Sequence, residues 1–140
     1  MLRFRFPTVN RQTDSQAVQF FQKMVDLRPQ LSSYSRVSYM RELHGDLIGA
    51  IDSMKMAISA GGSRESVAWA HVHLGNLYIT TEQYPTAQRE FDAALSDFPD
   101  YAQAYAGLGN LSIAQGHESV PHRSFVAKSA FLHSSRSRSR

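Results

Sequence analysis

Apolar and small residues fall at helical spacing through the middle of the chain. Leu74, Gly75 and Tyr78 share one face of a first segment, and Ala87, Phe91 and Ala94 share one face of a second. Pro85 follows Tyr84 where a helix can start, because the first turn has no use for the N–H that proline lacks. Asp97-Phe98-Pro99-Asp100 is a stop signal. The predicted unit is helix, turn, helix, turn.

This unit recurs. Leu74-Gly75-Asn76-Leu77 returns 34 residues later as Leu108-Gly109-Asn110-Leu111, and Ala70 matches Ala104. Both runs end in a polar break, Thr81-Glu82-Gln83 and Gln115-Gly116-His117. Upstream, Tyr34, Val37 and Ser38, a turn at Gly45-Asp46, then Ala50, Met54 and Ala57 follow the same order. Gly61-Gly62 end that second helix, and a few extra residues before Val67 lengthen the connection. Further back, Ala17, Phe21, Met24 and Pro29 read as the second helix of a unit whose first helix is missing. Downstream, Tyr105, Leu108 and Gly109 supply a first helix, but Pro121 falls where its partner should carry a small residue. A period of this length marks a repeat array, in which a lone helix pair cannot bury its apolar face and neighbouring pairs close the core.

These residues resemble the tetratricopeptide repeat. Leu74, Gly75 and Tyr78 meet that family's pattern in the first helix, and Ala87, Phe91, Ala94 and Pro99 meet it in and after the second. His71 stands where the family has its first aromatic residue. The resemblance covers about residues 15–116 and implies an all-α fold, an α-solenoid of antiparallel helix pairs with about three repeats. The boundaries it suggests are a repeat domain over 14–116, divided into a partial unit 14–30, units 31–67 and 68–101, and a partial unit 102–116. Residues 1–13 are expected to be a poorly ordered extension and 117–140 an irregular or disordered Ser/Arg-rich tail. Gly75 and Gly109 are expected to let the two helices of a pair approach closely.

The same architecture implies a concave surface lined by the first helix of each pair. In the best-matched unit, His71, Leu74, Gly75 and Tyr78 define the packed face, leaving Trp69, Val72, Asn76 and Thr80 on the other side. The corresponding positions are Gln103, Ala106, Asn110 and Ala114 downstream, and Ser32, Ser35, Tyr39 and Leu43 upstream, with Glu42 beside them. An aromatic anchor next to asparagine amides suits an extended peptide, whose backbone needs donors and acceptors. The expected groove is therefore Tyr39, Glu42, Trp69, Val72, Asn76, Thr80, Gln103, Ala106 and Asn110. A second reading has Trp69 packed on the Gly61-Gly62 loop or the preceding helix, and Asn76 and Asn110 merely solvating a helix face. Some members of the family bind acidic chaperone C-termini through a lysine-asparagine clamp. Here Val72 and Ala106 stand four residues before Asn76 and Asn110, where a lysine would be needed, and the resemblance stops short of that clamp.

Composition narrows the function classes. With no cysteine, disulfides, thiolate metal sites and cysteine nucleophiles are excluded together. His71 and His73, two apart on a helix, point to opposite sides and cannot share a metal. Gly61-Gly62-Ser63 lacks the Lys-Ser/Thr of a phosphate loop, and Gly107-x-Gly109 lies within a helical pattern. No enzyme activity, metal or cofactor is expected. The net charge of +3 hides an uneven distribution: all twelve carboxylates lie between Asp14 and Glu118, against seven basic residues there, while both ends are basic and acid-free. The alternating Ser134–Arg140 run could neutralise phosphates, but it is short and has no stacking platform, so a solvated end is preferred to a nucleic-acid contact. A change of reading frame near Glu118 is a third explanation.

No apolar run is long enough to cross a bilayer, and Leu2-Arg3-Phe4-Arg5-Phe6-Pro7 does not make a secretory signal. The acid-free start suits an organellar transit peptide only loosely, and the expected location is cytoplasmic. Two functions fit: a scaffold holding a peptide or partner helix in its groove, or an accessory or truncated segment of a larger enzyme, such as a glycosyltransferase or protease. Self-association through exposed end helices is compatible with both.

Overall fold

The computed structural model describes residues 11–119, which are helices joined by short turns and loops. Six helices follow one another: α1 Arg11–Leu27, α2 Leu31–Leu43, α3 Leu47–Ala60, α4 Arg64–Thr80, α5 Tyr84–Asp97 and α6 Ala102–Ser119. Residues 1–10 and most of the Ser/Arg tail lie outside the described span. Among the described residues, no helix is long and apolar enough to cross a membrane.

Three boundaries differ from those read in the sequence. Helix α4 begins at Arg64 rather than at 68, so the supposed extra connection belongs to the helix. Its start is fixed locally: Ser63 Oγ accepts the Ser66 N–H at 3.1 Å, and Glu65 places a carboxylate at the positive end of the helix dipole. Helix α6 runs through Gly116 to Ser119, past the expected end, and α1 begins at Arg11, before the expected start at 14.

Helices α2 and α3 form one closely packed pair, and α4 and α5 another. The first helix of the second pair also touches α2, α3 and α6, while α5 touches α6 and α1 touches α2. The two pairs close on equivalent residues. Phe91 is fully buried over Gly75, where a Cβ would come within 2.7 Å of its ring. At the matching places in α2–α3, Met54 is fully buried and Ser38 replaces the glycine. The Ser38 hydroxyl donates to the Ala50 carbonyl at 2.7 Å, so this buried polar group is satisfied. Ala50, Ala57, Ala87 and Ala94 have no exposed surface and keep the paired axes close.

One expectation needs correction. At Gly109, the sequence counterpart of Gly75, an added Cβ would meet nothing within 4 Å. Gly107 is the residue against which Phe91 packs, and a Cβ there would overlap the ring. The reason is that Phe91 is enclosed from two sides, by α4 within its own pair and by α6 of the next unit. The side of α6 turned toward α5 carries Gly107.

His71, in place of an aromatic residue, is held by polar contacts instead. Its Nδ1 is 2.9 Å from Glu90 Oε1 and its Nε2 is 3.5 Å from Asp97 Oδ2, both on α5. Burial, with a smaller contribution from the Glu65 carboxylate, raises the Tyr101 phenol above its ordinary value near 10.

The turn inside each pair is also shared. After α2, Asp46 N–H reaches the Arg41 carbonyl at 2.8 Å and Gly45 N–H the Glu42 carbonyl at 3.0 Å. After α4, Gln83 N–H reaches Tyr78 at 2.8 Å and Glu82 N–H reaches Ile79 at 2.9 Å. Both are Schellman ends, which need a left-handed residue. Gly45 takes it freely at φ 79°, whereas Glu82 takes it at φ 60° against the clash of its own Cβ. Glu82→Gly should therefore stabilise the fold by about 1 kcal/mol, raising Tm by roughly 5 °C. A thermal melt showing no rise would contradict this assignment of strain.

Candidate functional site

Helices α1, α2 and α4 meet around a cleft of about 320 Å³, lined by Phe21, Ser35, Arg36, Tyr39, Trp69 and His73. Tyr39 and Trp69 reach it because each lies on its helix roughly opposite residues that pack into the core, such as Val37 and Leu74. Trp69 is 40% exposed and Tyr39 is 57% exposed, unusual for large aromatic rings in a core this small. Trp69 does not swing freely. Its indole stacks on His73 at 5.4 Å between ring centroids, with the planes 22° apart.

His73 is itself held from the other side. Its Nε2 is buried and 3.4 Å from Glu42 Oε1, within ion-pair range but off hydrogen-bond geometry, so the nitrogen has no hydrogen-bond partner. Glu42, His73 and Trp69 thus form a chain from α2 to α4 that fixes the indole over the seam between successive pairs.

Of the residues expected on the groove face, the structure gathers Ser35, Tyr39 and Trp69 into this cleft, with Glu42 at its edge through His73. Asn76 and Thr80 on α4, and Gln103, Ala106 and Asn110 on α6, are exposed but lie outside the cleft. The Thr80 hydroxyl donates to the Asn76 carbonyl of its own helix at 3.1 Å, which occupies its proton. Val72 is a correction: it is buried in the core and presents no groove surface, because α4 contacts α2, α3 and α6 as well as α5.

Three cleft residues were not assigned to the groove from the sequence. Phe21 reads as a core residue of an incomplete unit, His73 only as a rejected metal ligand, and Arg36 is not singled out by the sequence at all. The cleft joins the first two helices to the fourth, and no local spacing announces such a junction. Larger and just as open, a second cleft of about 690 Å³ runs along the α1–α2 seam, where Phe21 again contributes with Val18, Val37, Met40 and Leu43.

Chemically, the smaller cleft offers recognition. Stacked aromatic faces accept an apolar or cationic side chain, the Arg36 guanidinium can take a carboxylate in a two-pronged contact, and the exposed amides beyond match a peptide backbone. Compared with known proteins, the chain matches no family model, and no curated protein is significantly similar to it.

Proposed function

We propose that this chain is a non-catalytic, cytoplasmic interaction module, a short solenoid of tetratricopeptide-like helix pairs that holds a peptide or partner helix along the faces of α2, α4 and α6. The observation that carries this reading is the cleft in which Trp69, stacked on His73, stands beside Tyr39 and Arg36. An exposed aromatic ring that is already immobilised loses little entropy on binding, which is how a few residues come to dominate an interface. The solenoid reading draws support from the shared pair chemistry, Met54 over Ser38 and Phe91 over Gly75, and from the shared Schellman turns. Asn76, Gln103 and Asn110 extend the surface with amides that can pair with a backbone.

Trp69 is the only tryptophan in the chain, so its fluorescence reports directly on the cleft. Peptides selected from a randomised display library against the folded protein should change its emission on binding. Trp69→Ala should then weaken the selected peptides about 30-fold, the roughly 2 kcal/mol of an interface hot spot, with helicity unchanged. Binding equal to the parent in both Trp69→Ala and Tyr39→Ala would overturn the reading.

A further inference from the structure

The two ends of the helix row carry faces that complement each other. In the α4–α5 pair, the face that α4 turns to its partner is His71, Leu74, Gly75 and Tyr78, each buried or half-buried. At α6 the same positions, 34 residues on, are Tyr105, Leu108, Gly109 and Ser112. Tyr105 is 54% exposed, Gly109 and Ser112 are exposed, and space is open where a Gly109 Cβ would be. Among the described residues, no helix covers this side of α6.

Helix α1 is the converse case. Ala17, Phe21 and Met24 keep the register of Ala87, Phe91 and Ala94. In that register Phe20 and Leu27 correspond to Glu90 and Asp97, the two residues that hold His71 from α5. Phe20 and Leu27 are 72% and 70% exposed, and among the described helices α1 packs chiefly on α2. The substitutions match in kind. Where a first helix offers histidine, the second offers two carboxylates; where α6 offers a tyrosine ring, α1 offers two apolar side chains.

We infer that α6 of one copy takes α1 of a second copy as its partner helix. Tyr105 then lies between Phe20 and Leu27, and Gly109 gives Phe21 the close backbone that Gly75 gives Phe91. The occupant is a second copy because α1 is the described helix whose open face has both the register and the apolar residues that α6 lacks opposite it. The contact joins two different surfaces, so each added copy leaves one of each unsatisfied, and the assembly grows head to tail or closes into a ring. This inference uses the observed α4–α5 contacts and does not depend on what the groove binds.

Sedimentation velocity on the full 140-residue chain, two point variants and a deletion of 120–140 tests it. The parent should gain mass with concentration, past the dimer unless a two-membered ring closes. Phe20→Glu and Tyr105→Glu, both at exposed positions, should each be monomeric alone. Mixed in equal amounts they should form a one-to-one complex and go no further, because each supplies the face the other has lost. Matching circular dichroism spectra check that both variants fold; if Phe20→Glu loses helicity, Leu27→Lys on the same face takes its place. A Phe20→Glu protein that still dimerises by itself would mean that α6 pairs with α6. A parent that stays monomeric while deletion of 120–140 lets it associate would mean that the chain covers its own face. A parent and a deletion variant that are both monomeric, or variants that fail to complement, would likewise overturn the inference.

Discussion

Phe91→Ala should cost the fold about 3–5 kcal/mol, toward the upper end for a buried aromatic residue, and lower Tm by roughly 15–30 °C. The ring has no exposed surface and packs against two glycines, Gly75 on α4 and Gly107 on α6. Its loss leaves a void that neighbouring side chains cannot fill, because the nearest residues on both flanks have none. Both helix backbones are held elsewhere by Leu74, Leu77 and Leu111, all buried, which limits collapse into the gap. Domains of this size have only about 5–15 kcal/mol in total, so one substitution removes a large share. Phe91→Leu, which keeps most of the volume, should cost only about 1 kcal/mol. Urea unfolding followed by circular dichroism separates the cases; a loss below 1 kcal/mol for the alanine would show that Phe91 does not join the second pair to α6.

Gly107→Ala and Gly109→Ala, two residues apart on the same helix, should move stability in opposite directions. Alanine is favoured over glycine inside a helix by about 1 kcal/mol, and at Gly109 nothing within 4 Å opposes the new methyl group. That variant should gain up to this amount. At Gly107 the methyl would overlap the Phe91 ring, which is enclosed on its other side by Gly75 and cannot withdraw. Overpacking of this kind costs about 1–3 kcal/mol, which outweighs the gain in helix propensity. The comparison cancels the helix-propensity gain, since both glycines lie inside one helix. Equal thermal midpoints for the two variants would contradict the packing of α6 on α5.

These glycines mark where the sequence is informative about the fold and where it stops. The pair register is legible because buried positions recur: Ala87, Phe91 and Ala94 repeat Ala50, Met54 and Ala57, and every one of them is fully buried. Gly109 repeats Gly75 in sequence but not in environment, since a glycine's surroundings depend on which helix approaches it. The start of α4 was legible in principle: Ser63 capping Ser66, with Glu65 in the first turn, outweighs the preceding Gly61-Gly62 as a boundary signal. Glu82 gives no sign of a left-handed backbone, because the turn imposes it from Tyr78 and Ile79.

The candidate site was legible only in part. Trp69 and Tyr39 stand out because the helical period puts them opposite the packed residues. Phe21, Arg36 and His73 do not, because they enter the cleft through contacts between units rather than within one. Val72 fails for the same reason in reverse: its angular position faces the groove side, but neighbouring helices bury it.

The groove can be located residue by residue by recording amide chemical shifts while a library-selected peptide is titrated into the isotope-labelled chain. The proposal requires the perturbed residues to cluster on α2, α4 and α6, with the Trp69 indole and the Asn76 and Asn110 side-chain amides among them. Perturbations centred on α3 and α5, with the Trp69 indole unmoved, would contradict it.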